Sequence, residues 1–214
     1  PHLGRIGNNK SRRSGTYLRS VLDYAYKSGM RSRRKSLFTG SRIGRGCAFG
    51  TLAGAGLVPG GQRRAIVKGR IAKLKPGNLA AARAHMRYIQ RDGVTQEGEA
   101  GKLYGRETDE ADGLAFVEHC DGDRHQFRFI VSADDATEIG DLKPFIRELM
   151  QKVESDLETT LDWVAVDHFN TGHPHTHIVI RGKAEDGKDL IIAKDYISHG
   201  IRQRAGELLT LELG

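Results

Sequence analysis

Four of the nine histidines lie within ten residues, at His168, His173, His175 and His177. The residues on either side, 163–166 (Trp-Val-Ala-Val) and 178–180 (Ile-Val-Ile), are apolar and β-branched, as in strands. The six residues between His168 and His175 include Asn, Gly and Pro, which suit a hairpin loop. The segment therefore predicts two antiparallel strands whose joined ends carry histidines.

The spacing of these histidines predicts a metal site. His175 and His177 point to the same face of a strand, because side chains alternate. An antiparallel partner that ends at His168 brings a third imidazole beside them. Three neutral imidazoles can hold a divalent ion and leave coordination positions open, as a catalytic metal requires. One alternative is a run of core or exposed histidines without a metal. Another is part of an affinity tag, but a tag would not lie between two apolar strands.

The net charge of +7 is unevenly distributed. Residues 1–62 carry 12 Lys and Arg and a single acid, Asp23, whereas residues 63–214 carry 22 basic and 26 acidic residues. The first segment is also rich in Gly and Ser and contains a polybasic cluster, Arg31, Arg33, Arg34 and Lys35. We predict two parts, a DNA-binding extension over 1–62 and a folded domain over 63–214. A solubilising tail is the alternative for the first part.

Hydrophobic periodicity predicts a mixed α+β domain. Strands are expected over 65–74, 125–132, 161–168 and 175–182, with a short one over 190–193. Helices are expected over 17–30, 79–91, 110–120, 142–157 and 197–213. No apolar run approaches the roughly 18 residues of a membrane span, so no membrane insertion is expected. Two cysteines exclude a disulfide framework and favour a reducing compartment. The chain opens without Met or a signal peptide, so we expect a piece of a longer protein.

The pattern His168-x6-His175-x-His177 resembles the metal motif of conjugative relaxases in the HUH endonuclease superfamily. The form His-Pro-His-x-His at 173–177 is most similar to the plasmid mobilisation and T-DNA border nickase branch, and the resemblance covers about residues 63–192. It implies a central antiparallel sheet of about five strands with helices on one face, and the metal histidines on a central strand. It also implies that a basic N-terminal extension precedes this domain.

The family carries its nucleophile, a tyrosine, on a helix in a setting like Tyr-[Ile/Leu]-x-Arg-x-Gly. Residues 88–93 of this chain, Tyr-Ile-Gln-Arg-Asp-Gly, resemble that setting. Tyr88 lies off the apolar face of its predicted helix, so it can reach a substrate. His85, one turn earlier, would orient the substrate or simply be exposed. Tyr104, in the following loop, is the weaker candidate for a nucleophile.

Four further residues are candidates for supporting roles. The family's middle motif, a strand that ends in Val-Ser, is represented by residues 129–132, and Arg128 stands where related members have His. Arg128 and Ser132 are expected either to hold DNA phosphates or to be structural. Asp167 is a candidate to fix an imidazole tautomer, although a regular strand would point it away from His168. His173 belongs to the loop at the edge of the metal site, either transferring protons or exposed.

The resemblance implies site- and strand-specific nicking and rejoining of single-stranded DNA at the origin of transfer of a plasmid or integrative element. The product would be a 5′-phosphotyrosyl intermediate, and the cofactor a divalent metal, Mg or Mn, with Zn or Ni in crystals. Expected partners are single-stranded DNA, relaxosome accessory proteins and a type IV secretion coupling protein. The expected location is the cytoplasm of a bacterial donor cell, with transfer of the full-length protein to the recipient. Alternatives are a rolling-circle replication or transposition nuclease, a non-catalytic DNA-binding module and a zinc hydrolase.

Overall fold

The structure is a computed structural model that describes residues 44–56, 63–133, 139–170 and 173–213. All of these residues belong to one packed unit. The polybasic residues Arg31, Arg33, Arg34 and Lys35, and the helix predicted over 17–30, lie outside the described residues.

The described chain has a mixed α+β fold, as predicted, with these elements in order: α1 (Cys47–Gly54), β1 (Ala65–Lys73), α2 (Ala80–Ile89), α3 (Gly113–His119), β2 (His125–Ala133), α4 (Leu142–Leu157), β3 (Trp163–His168), β4 (His175–Arg181), a π-helical turn (Tyr196–Gly200) and α5 (Ile201–Leu213). Asp112 and Asp141 begin α3 and α4 by accepting backbone N–H bonds, as helix caps do. Among the described helices, none combines the length and the apolarity that crossing a bilayer requires.

The four strands form one antiparallel sheet in the order β1-β2-β4-β3. The prediction of about five strands is wrong for the described residues. The predicted strand over 190–193 makes only a single bridge, between Ile192 and Arg45. Its partner segment enters helix α1 two residues after Arg45, so the pairing has no room to extend.

One face of the sheet, here called the core face, carries the larger hydrophobic core. Its side chains alternate along the central strands, with Phe127, Phe129 and Val131 on β2 and Ile178 and Ile180 on β4. The buried sides of α4 and α5 pack against these residues. The larger of the two hydrophobic clusters of the described residues therefore lies on this face.

The opposite face, here called the histidine face, carries His168 on β3 and His175 and His177 on β4. Helices α2 and α3 pack on its apolar part, which includes Val164, Val166 and Val179. The prediction that helices lie on one face is therefore wrong. Strands β3 and β4 are buried on both sides, which explains why their sequences are continuous apolar runs rather than alternating ones.

Residues 44–56 belong to the packed unit although they fall within the segment 1–62 that was predicted as an extension. The Arg45 guanidinium donates to the carbonyls of Leu157 and Glu158, at 2.7 and 2.8 Å, at the carboxyl end of α4. A cation is favourable there because the last carbonyls of a helix lack partners. The Phe49 ring contacts the buried Tyr196 ring edge to face. The end of the predicted extension is thus built into the fold.

Candidate metal centre

The hairpin of β3 and β4 brings the three predicted metal ligands together. His168 pairs directly with His175, and His177 pairs with Val166, two steps further along the ladder. One ligand nitrogen from each imidazole lies within 4.8 Å of the other two. The ring centroids of His168 and His177 are 4.4 Å apart, and His175 lies 5.3 and 5.2 Å from them. The three imidazoles converge closely enough to bind one ion.

Hydrogen bonds prepare two of these imidazoles for binding. The Nε2–H of His168 donates to the carbonyl of Ile89 at 2.6 Å, which leaves the lone pair on Nδ1. That Nδ1 is buried and has no hydrogen-bond partner in the structure. His175 is bonded through Nδ1 to the carbonyl of His173 at 3.1 Å, which favours a lone pair on Nε2. The orphaned nitrogen of His168 is what a site built for a metal leaves open, so the residues fit a divalent cation.

The surroundings of His168 and His177 keep these two imidazoles neutral, the form that binds metals. Burial, together with smaller contributions from the neighbouring His168 and His175, lowers the pKa of His177 to about 3. Burial also lowers the pKa of His168, with smaller contributions from His175 and Arg91 and an opposing one from the bond to Ile89. Protons therefore compete weakly for these nitrogens at neutral pH.

Tyr88 lies in the last turn of helix α2, next to the residue that contacts His168. It precedes Ile89, whose carbonyl is bonded to His168, and its side chain is 57% exposed. The Arg91 guanidinium lies 4.5 Å from the centre of the Tyr88 ring and donates to the Tyr88 carbonyl at 3.1 Å. An accessible phenol is therefore held on the segment that contacts a metal ligand.

Arg91 was assigned no role from the sequence, although it belongs to the motif that contains Tyr88. Its charge lowers the pKa of both His168 and His177, so it lies near them as well as over Tyr88. The signal that could have identified it is its position three residues after Tyr88, because residues three apart lie on one side of the helix predicted over 79–91, although α2 ends at Ile89.

His85 lies on α2 between the metal centre and two arginines. Burial, together with the charges of Arg128 and Arg70, lowers its pKa to about 4. It is therefore neutral at physiological pH, and its buried Nδ1 has no partner. His85 in turn lowers the pKa of His177. The structure thus places His85, which was predicted as a supporting residue, near His177 as a neutral imidazole.

Arg128 and Arg70 are direct neighbours across β1 and β2, on the histidine face. With the Gln126 amide oxygen turned toward it, Arg128 donates from Nε and Nη2 at 2.7 and 2.6 Å. Across the described residues, neither arginine nor Lys68 forms an ion pair with a carboxylate. Arg70 and Lys68 were missed by the sequence reasoning. Their alternation on β1 is informative only once the face of that strand is known.

Two other predicted residues, Ser132 and His173, take part in hydrogen bonds to backbone carbonyls beside His175. Ser132 donates its hydroxyl to the carbonyl of Pro174 at 3.0 Å, so it anchors the loop that leads into His175. His173 has an exposed side chain, and its backbone carbonyl is what orients His175.

Asp167 lies on the core face, away from the three imidazoles. Its Oδ1 accepts hydrogen bonds from the hydroxyls of Tyr104, at 2.9 Å, and Thr176, at 2.6 Å. The prediction that it fixes an imidazole tautomer is wrong, because residues 167 and 168 point to opposite faces. Tyr104 is fully buried, and burial together with Asp167 raises its pKa well above 10. Neither property suits a nucleophile.

Comparisons with known proteins give no family for this chain. Neither the protein-family models nor the curated proteins that were searched contain a match.

Proposed function

We propose that the protein nicks and rejoins single-stranded DNA at the histidine face, with Tyr88 as nucleophile and a divalent cation on His168, His175 and His177. The observation that carries the proposal is the bond from His168 to the Ile89 carbonyl, at 2.6 Å. It couples a metal ligand to the residue next to an exposed tyrosine. A nuclease that forms a covalent intermediate needs this combination of an accessible hydroxyl and an electrophilic centre.

In the proposed reaction the Tyr88 Oη attacks a DNA phosphorus and forms a phosphotyrosyl bond. The bond from that phosphorus to the 3′-oxygen breaks, and the 3′-oxygen leaves as a hydroxyl after gaining a proton. The phenolic proton passes to solvent, because the lowered pKa of His85, about 4, makes that imidazole a weak base although it lies one helical turn before Tyr88. Attack by a 3′-hydroxyl on the phosphotyrosine reverses the step and rejoins a strand.

A cation held by the three histidines would withdraw charge from the non-bridging oxygens of the phosphate and favour attack. Three imidazole donors suit Zn²⁺, Ni²⁺ or Co²⁺ better than Mg²⁺, which prefers oxygen ligands. This refines the expectation of Mg or Mn that follows from the family resemblance.

The cationic part of the histidine face supports a nucleic-acid substrate. Lys68 and Arg70 are exposed, and Arg128 lies beside them without an acidic partner. Like charges placed directly across two strands are unfavourable unless an anion binds between them. A DNA backbone supplies such anions at regular spacing, and Arg91 would add a further phosphate contact next to Tyr88.

The test is a covalent adduct with a randomised pool of single-stranded oligonucleotides carrying a label at the 3′ end. Because the 5′-phosphate of the downstream fragment joins the protein, the label should travel with the protein in a denaturing gel when Mn²⁺, Co²⁺ or Zn²⁺ is present. Peptide mapping should find the adduct on Tyr88. Sequencing the released strands would identify the cleavage site.

Tyr88→Phe should abolish the adduct and leave binding of the pool nearly unchanged, because the hydroxyl makes little of the contact with phosphate. Tyr196→Phe is the control, since it removes a buried tyrosine hydroxyl that lies away from the strands that carry the histidines. An undiminished adduct in Tyr88→Phe would move the nucleophile elsewhere. Cleavage without any adduct would instead favour a zinc hydrolase that activates water.

A further inference from the structure

We propose that the hydroxyls of Tyr104 and Thr176 and the carboxylate of Asp167 form a positioning device for the metal centre, acting from the opposite face of the sheet. The inference rests on the proposed metal site and names the residues that set its geometry. None of the three is a ligand. They act through the backbone of the two strands that carry the histidines.

The three residues lie directly behind the ligands. Thr176 stands between His175 and His177 on β4, and Asp167 immediately precedes His168 on β3. Asp167 and Thr176 are paired across the ladder, and their side chains are joined by the 2.6 Å hydrogen bond. The bond therefore ties β3 to β4 at the step of the ladder between the pairs that contain the histidines.

Tyr104 extends this connection beyond the sheet. Its hydroxyl donates to the same Asp167 oxygen at 2.9 Å. Its backbone exchanges both hydrogen bonds with Ala165, at 2.9 and 2.8 Å, along the outer edge of β3. Tyr104 thus holds β3 at two points, Ala165 and Asp167, which share one face of the strand.

This part of the ladder needs such restraint. β3 ends at His168 and β4 begins at His175, so the histidines occupy the last pairs before a loop. Terminal pairs of a ladder open more readily than central ones. Because the three ligand nitrogens come from both strands, opening of these pairs would separate His168 from His175 and His177.

A polar contact specifies the register in a way that an apolar one does not. A slip of two residues would keep the apolar residues of β3 and β4 on their faces, so packing alone discriminates weakly against it. The same slip would move Thr176 away from Asp167 and leave a buried carboxylate without one of its two donors, which is costly. The hydrogen-bonded trio therefore selects the register in which the imidazoles converge.

The chain offers a matched control in Tyr196. Both tyrosines are fully buried, and the Tyr196 hydroxyl donates to Asp156 at 2.7 Å, as that of Tyr104 does to Asp167. Asp156 lies on α4, where Arg204 also binds it. Neither Tyr196 nor Asp156 belongs to the strands that carry the histidines. Loss of either tyrosine hydroxyl should lower the thermal stability of the protein by a similar amount.

The experiment titrates metal-free protein with Co²⁺ and records the visible d–d spectrum of the bound ion. Tyr104→Phe and Thr176→Val should each weaken Co²⁺ binding about tenfold and change band intensity, as loss of residues that orient ligands does. Thr176→Ser should restore both properties, because it keeps the hydroxyl. Tyr196→Phe should bind Co²⁺ like the wild type, despite a similar loss of thermal stability.

A second measurement, hydrogen exchange of the metal-free proteins, reports the strands themselves. Peptides that contain 164–168 and 175–178 should exchange faster in Tyr104→Phe than in Tyr196→Phe. Wild-type affinity and spectrum in both Tyr104→Phe and Thr176→Val would overturn the positioning role and leave the metal site standing. Failure of the wild type itself to bind Co²⁺ would refute the metal centre, and the positioning role with it.

Discussion

The two faces of the sheet use buried side chains differently. On the core face, β2 and β4 bury phenylalanines and isoleucines against α4 and α5. On the histidine face, the same two strands carry Arg128, His175 and His177, and His168 of β3 is fully buried. The first arrangement lowers the free energy of the fold by removing apolar surface from water. The second arrangement buries imidazoles, and burying a polar ring contributes little to stability unless its nitrogens bind a hydrogen-bond partner or an ion.

Along the single strand β4, residues that stabilise the core alternate with residues of the candidate metal site. Consecutive residues of β4 alternate between the two faces, with Thr176 and Ile178 on the core face and His175 and His177 on the other. The positions of the histidines therefore depend on how well the core-face residues of the same strands are packed. Apart from the positioning residues Tyr104, Asp167 and Thr176, substitutions on the core face should therefore reduce stability, and those on the histidine face should reduce binding.

The largest expected effect on stability comes from the core face. Phe127→Ala should lower the free energy of unfolding by about 3 to 5 kcal/mol, because it removes a buried ring and leaves a cavity. Ile66→Ala, on the exposed part of the histidine face, should change it by no more than about 0.5 kcal/mol. Urea denaturation monitored by circular dichroism measures both. Similar losses in the two variants would contradict the assignment of the two faces.

A smaller effect is expected on DNA binding. Arg70→Gln should weaken binding of a single-stranded oligonucleotide and reduce the slope of its salt dependence by about 0.7, the value for one phosphate contact on a single strand. Arg124→Gln is the control, since Arg124 is an exposed arginine already paired with Asp189. An equal reduction of the slope in both variants would mean that binding follows net charge rather than the histidine face.

The smallest expected effect is on the titration of His85. Arg70 and Arg128 both lower its pKa, so Arg70→Gln should raise that pKa from its low value near 4. The sign follows from electrostatics, because removing a nearby positive charge makes protonation easier. Nuclear magnetic resonance of the His85 ring protons between pH 3 and 8 measures the shift. An unchanged or lower pKa would show that the two side chains do not interact.

The sequence predicted the hairpin closely, because its signals are local. Strands β3 and β4 begin and end within two residues of their expected positions, and the His-x6-His-x-His spacing brought the three imidazoles together as expected. Period-two alternation also placed Asp167 on the face of β3 that points away from His168. It could not identify Tyr104 as a hydrogen-bond partner of Asp167. Tyr104 is 63 residues away along the chain, and no local pattern connects the two.

Features that depend on distant parts of the chain were predicted poorly. The amphipathic pattern of α2 indicates that Met86 and Ile89 are buried, but not on which face of the sheet. The apolar run at 190–193 suits a strand, and only the fold shows that its partner is the short segment at Arg45. Lys68 and Arg70 resemble ordinary surface residues until β1 is placed beside Arg128.

The account depends most on the claim that the three histidines form one metal centre. X-ray absorption spectroscopy of the zinc-loaded protein tests it directly, with His175→Ala and His173→Ala compared under the same conditions. The wild type and His173→Ala should each show three imidazole nitrogens at about 2.0 to 2.1 Å from zinc. His175→Ala should show no more than two, with weaker retention of the ion. Three imidazoles in His175→Ala, or fewer than three in the wild type, would contradict the account.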